Sequence, residues 1–235
     1  MSIAMSDWTA HVLPHGPLTQ LAPRVWQVTG TLGNMALPRN MTLWRMDDGT
    51  LWVHSAIACD DVTMAEIEAL GRPSVIVVPN GYHRLDCGVW KARYPDARVV
   101  CPEASRARVE QAVKVDSLDT DVPGAVVHTP RGVKDVEHVY EIDAGAGQAL
   151  VVCDALFNVP HQPGFGGFIT RMIGSSGAFG MTRIGRFALL KDARAYRGWL
   201  EEMAEHPALA MVAVSHGDAI LADAARKLKE AAARL

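Results

Sequence analysis

The sequence predicts an α/β protein whose sheets are covered by helices. Two observations carry this. After an antiparallel opening, compact apolar runs alternate with helical patterns along the rest of the chain. Three of those runs, Val75–Val78, Ala149–Val152 and Met211–Val214, pass directly into polar residues.

The elements are justified in order. Residues 1–20 contain two prolines and no clear period, so they read as an irregular arm. Arg24–Gly30 alternates and stops on glycine, as a strand does. Met41–Met46 and Leu51–Ser55 flank Asp47-Asp48-Gly49, a pair of strands around a tight turn. Thr63 and Glu66 form a capping-box pattern ahead of a short helix that stops at Gly71. Val75–Val78 and Arg98–Cys101 are short apolar strands separated by a helix over Val89–Tyr94. A helix is expected over Glu103–Val113, then strands at Val126–His128, Val136–Ile142 and Ala149–Cys153, with a turn at Gly145-Ala-Gly147. Ala193–Glu205 is a further helix, and Asp218 is placed to cap a last one over Ala219–Leu235. No linker or repeat divides the chain, and one domain is expected over residues 1–235.

Composition narrows the function. Hydrophobic residues make up 49% of the 235, enough to build a core of this size. The net charge is −3 and no basic run is present, which argues against nucleic acid as a partner. No apolar run reaches a membrane span, and the N-terminus lacks a secretory pattern, so the cytoplasm is the expected location. Cys59, Cys87, Cys101 and Cys153 form no Cys-x-x-Cys pair and read as reduced, buried thiols.

The three apolar runs deliver His83 and Asp86, Asp154, and His216 respectively. In a parallel sheet such strand ends share an edge, and ligands bind there. Imidazole nitrogen and carboxylate oxygen suit zinc, iron or manganese. Each residue also has an ordinary reading. His83 would bond to a turn backbone, Asp86 would cap a helix, Asp154 would serve a turn and His216 would pack or cap.

Several segments make the chain similar to the metallo-β-lactamase superfamily over roughly residues 20–225. They are Gly49–Ser55, Val77-Val-Pro-Asn80 followed by His83, Trp90-x-x-x-Tyr94-Pro-Asp-Ala-Arg-Val99, Leu150–Asn158, and Ser215-His-Gly217. The resemblance implies a four-layer αβ/βα sandwich of two mixed sheets with a site at one end. It also implies that Asp154 stands where a metal-bridging aspartate belongs and His216 where the final histidine belongs. The superfamily's His-x-His-x-Asp-His motif is eroded here to Asn80-Gly-Tyr-His83-Arg-Leu-Asp86, and no histidine follows Thr129-Pro130.

Two functions stay open. One is a metal-dependent hydrolase with His83, Asp86, Asp154 and His216 as ligands of a single zinc, iron or manganese ion. In it Asp154 and His83 are the catalytic pair, acting on an ester, lactone, thioester or amide through a metal-activated water. The other is a degenerate, metal-free binding module on the same fold. The apolar, glycine-rich loop Pro163–Gly180 and the wider 163–187 region would then form a partner surface or a homodimer contact.

Overall fold

The computed structural model describes residues 5–33, 35–161, 164, 171 and 176–235. Two sheets stack face to face. The first has seven strands in sequence order: β1 (Thr19–Ala22), β2 (Val25–Leu32), β3 (Met35–Arg45), β4 (Leu51–His54), β5 (Pro73–Val77), β6 (Arg98–Cys101) and β7 (Ser117–Leu118). Its first four strands are antiparallel neighbours and the rest pair in parallel. The second sheet runs β11-β10-β9-β8, from β8 (Val126–His128), β9 (Val139–Asp143), β10 (Gln148–Val152) and β11 (Leu209–Val214). Only its β10–β11 pair is parallel.

Strand alternation sorts side chains into three apolar layers. On β4, Leu51 and Val53 face outward while Trp52 faces the other sheet. On β10, Ala149 and Val151 meet that first sheet, while Leu150 and Val152 face outward on their own side. Outside the first sheet lie α1 (Met5–His11), α2 (Asp61–Leu70), α3 (Cys87–Arg93) and the single turn α4 (Arg106–Val109). Outside the second lie α5 (Arg183–Ala188), α6 (Ala193–Ala204) and α7 (Ala224–Ala232). Helix, sheet, sheet, helix is the expected four-layer order.

The helices show how the outer layers close. α6 starts at Asp192, whose carboxylate accepts hydrogen bonds from the Arg194 and Ala195 amides. Its buried stripe is Tyr196, Trp199, Leu200 and Met203, each contributing about 1.5–3 kcal/mol through burial.

Several expectations are corrected. The lead-in is not an irregular arm. Trp8 of α1 is buried, packs on Trp90 at 5.8 Å and donates to the Cys59 carbonyl, and β1 extends the first sheet. α2 is capped by Asp60, which accepts from the Thr63 amide, so Thr63 is inside the helix and not its cap. The helix expected over Glu103–Val113 is a 3-10 turn at Glu103–Ser105 followed by α4, which ends by Glu110. The last helix starts at Ala224, not Ala219. Ile220 exchanges two backbone hydrogen bonds with Val212, which holds that stretch extended, and Asp218 spends its amide on Asn158. His138 stands just ahead of β9 and not within it. All four cysteines are free and buried, as expected. No helix among the described residues is long and apolar enough to cross a membrane.

Candidate metal centre

The strand ends converge. Beyond β5 the chain turns through Asn80 to His83. Beyond β10 comes Asp154, and beyond β11 comes His216. His83 Nε2 is 3.4 Å from Asp154 Oδ1, His216 Nε2 is 3.2 Å from the same oxygen, and the two Nε2 atoms are 3.2 Å apart. Donors about 2.0–2.1 Å from one tetrahedral ion stand about 3.3 Å from each other, so this triangle has the size a single ion requires.

The far side of each ring explains its orientation. His216 Nδ1 lies 2.7 Å from the Pro38 carbonyl, which can only accept, so the proton sits on Nδ1 and the Nε2 lone pair faces the centre. His83 Nδ1 is 2.8 Å from the Ser55 hydroxyl. Ser55 has φ of 57°, a left-handed conformation rare for serine, directly after β4. Two nitrogens and a carboxylate oxygen therefore crowd together, a donor set that fits a divalent cation.

The surroundings fix the set. The Asn40 side-chain NH2 donates to the Val214 and Gly217 carbonyls, its Oδ1 accepts from the Thr29 hydroxyl, and its backbone N–H donates to the Ser215 carbonyl. These bonds tie the His216 turn to β3 of the opposite sheet. Gly217 has φ of 94°, and a Cβ there would lie 2.1 Å from the Asn158 oxygen, so only glycine fits the turn. The Phe157 ring covers His216 at 4.5 Å.

Asp154 is held ionised. Burial alone would raise its carboxyl, but the His83 and His216 imidazoles outweigh that and keep it well below the usual carboxylate range. Its Oδ2 accepts from the Asn80 amide at 2.8 Å, which leaves Oδ1 for the imidazoles.

Asp86 is not brought into this group. It is buried, 2.7 Å from Arg39, 3.0 Å from His11 Nδ1, and accepts from the Ala58 amide. It stands at the N-cap position of α3 without a side-chain capping bond. The buried Arg39 claims its charge instead.

Three residues at the centre were not foreseen. Glu137 is buried and accepts from the amides of Asp154 and Ala155 and from Asn80 Nδ2. Burial and the neighbouring Asp154 push its carboxyl up to about 8. Asn80 read as part of an Asn-Gly turn. His54 lies fully buried below the centre, and neither ring nitrogen has a partner among the described residues. A charged residue inside the expected strand Val136–Ile142 is the one signal that Glu137 offered; the observed strand begins only at Val139.

Of the loop residues expected to form a partner surface, Phe165, Phe168, Ile169, Met172 and Ile173 lie outside the described residues. Phe179 is buried against the second sheet's outer core, which removes it from any such surface. Phe187 is 93% exposed and Ile184 is 55% exposed.

No protein-family model matches the sequence, and no curated protein matches it. Solved structures do. The chain is similar to a metallo-β-lactamase from Pseudomonas aeruginosa in its mono-zinc form, at 13% identity and a TM-score of 0.62, over 95% of this chain and 97% of that one. It is similar to a metallo-β-lactamase from Erythrobacter litoralis at 15% identity and a TM-score of 0.61, covering 93% and 96% of the two chains. A third, from Hirschia baltica, has 12% identity and a TM-score of 0.59 over 92% and 98%. At these identities the likeness is one of fold.

Proposed function

We propose, for a chain that has the metallo-β-lactamase fold, that it is a metal-dependent hydrolase whose single ion is held by His83, Asp154 and His216. The observation that carries this is the triangle of donor atoms, each pair 3.2–3.4 Å apart. The mono-zinc form of the Pseudomonas aeruginosa relative in fold supports a one-ion reading. A zinc, iron or manganese ion bound there supplies Lewis acidity, which acidifies water and polarises a carbonyl.

The chain's own groups do the rest. Asp154 Oδ1 is the acceptor that orients an attacking water, because Asn80 has already engaged Oδ2. Ser55 and the Pro38 carbonyl hold the two imidazoles in place. The substrates this chemistry suits are esters, lactones, thioesters and amides. The reading places the protein in the cytoplasm, where its four buried thiols stay reduced.

The test is direct. Chelator-stripped protein is reloaded with zinc, gel-filtered and subjected to elemental analysis. One ion per chain is expected, with His83→Ala and His216→Ala each losing most of it. Wild-type protein that retains less than about a tenth of an equivalent would defeat the proposal. Hydrolysis is then assayed with a panel of esters, lactones, thioesters and amides.

The exposed Phe187 and Ile184 favour a second reading, a contact with another copy of the chain. Light scattering on wild type and Phe187→Asp decides it. An unchanged monomeric mass in both rejects the contact.

A further inference from the structure

Asn80 stands where two groups of potential ligands meet. One is the His83, Asp154 and His216 set. The other is Glu137, Cys153 and Asp154, whose ligand atoms also lie within 4.8 Å of one another. The Asn80 amide nitrogen lies inside this second group. It is 2.8 Å from Asp154 Oδ2, 3.2 Å from Glu137 Oε2 and 3.5 Å from Cys153 Sγ. Three acceptors thus surround a nitrogen that carries two hydrogens.

The opposite end of the side chain is committed as well. Asn80 Oδ1 accepts from the Tyr82 amide at 2.8 Å and from the His83 amide at 3.3 Å. The amide cannot turn over, since that would set its NH2 against the Tyr82 and His83 N–H donors and its oxygen against the Asp154 carboxylate. A second feature marks the same spot. Ser215 follows Val214 as Cys153 follows Val152 in the paired strands, and its buried hydroxyl faces the Cys153 thiol.

We infer that Asn80 sets the number of ions this centre takes. Its NH2 group occupies the position a second divalent ion would take between Asp154, Glu137 and Cys153, while its oxygen fixes the His83 turn. Two carboxylate oxygens and one sulfur are a donor set for zinc or cobalt, and a neutral amide standing among them excludes the ion. The inference rests on the one-ion reading above. Without the amide, a divalent ion binds there and the Cys153 thiol releases its proton to the buffer.

The experiment compares the full chain with Asn80→Ala and Asn80→Asp. Each protein is stripped with chelator and titrated with zinc or cobalt. Ions are counted by elemental analysis, and the cobalt forms are read by absorption. Each variant is expected to hold one more ion than the wild type. Its cobalt form should also show a thiolate-to-cobalt charge-transfer band that the wild type lacks and that Cys153→Ser removes. If the alanine variant does not fold, the aspartate variant decides, because it retains the oxygen that accepts from Tyr82 and His83. An unchanged ion count with no thiolate band overturns the inference, whatever the wild-type count. A wild type without metal defeats the proposed function instead, so the two failures are distinct.

Discussion

His54 carries a cost that nothing in its neighbourhood repays. The ring is stacked on Trp52 at 5.3 Å and edge-on to Tyr140 at 5.6 Å. Burial, with the nearby His83 adding to it, pushes its imidazole down to about 3. The sign of the consequence is fixed. Below its ordinary value of about 6.5 the unfolded chain takes up a proton that the folded chain refuses until about pH 3, so stability falls as pH drops through that window, by up to about 1.4 kcal/mol per pH unit. Phenylalanine preserves the stacking and needs no partner. His54→Phe should therefore raise the melting temperature of the metal-free protein near pH 5 and flatten its dependence on pH; an unchanged slope would trace the acid sensitivity to other groups. At this scale the centre was half legible. His83, Asp154 and His216 announced themselves by following apolar strands. Asn80, Glu137 and the Pro38 carbonyl act across 74, 17 and 178 positions of sequence, which no local pattern encodes.

The turn from β5 into α3 shows why Asp86 was legible as a residue of note but not as the residue it is. Proximity to His83 suggested a shared ion, and the partner that claims it, Arg39, belongs to β3 and is equally buried. Removing the carboxylate leaves that guanidinium buried and uncompensated, which typically costs about 3–5 kcal/mol. Asp86→Ala is expected to lose stability of that order in urea unfolding while binding as much zinc as wild type. A lost equivalent of zinc with stability intact would return Asp86 to the ligand set. The last helix teaches a related lesson. Its composition suits a helix from Ala219, yet pairing with Val212 competes for Ile220 and wins, so the boundary moves to Ala224. The strand core Arg98–Cys101 was legible to the residue, because its Val99, Val100 and Cys101 are all buried; Val126–His128 matches as well, although it is an edge strand with Val126 55% exposed.

Across the whole molecule, the centre joins the two sheets. His83 follows a strand of the first sheet, and Asp154 and His216 follow strands of the second. An ion held by all three binds only the assembled sandwich. Each tenfold of free zinc above the dissociation constant therefore adds about 1.4 kcal/mol to stability. The melting temperature should climb with zinc in wild type and stay level in His83→Ala, as calorimetry can show. Residue patterns alone predicted sheets covered by helices, since strand alternation and helix stripes mark which face of each element is buried. The stacking of one sheet upon the other came only from the resemblance to the metallo-β-lactamase superfamily, because it depends on how large rings from distant strands interlock.

That interlocking has a mechanical consequence. Trp52 and Tyr140 are fully buried between the sheets with their rings 5.4 Å apart, one from each sheet. They fill the space between the two sheets whose strand ends carry His83 and Asp154. A smaller residue at position 140 would let the sheets settle closer and narrow the interval between those two side chains. Under the proposed one-ion reading, the bite of the centre, and with it the radius of the ion it would prefer, is gauged by aromatic rings that never touch the ion.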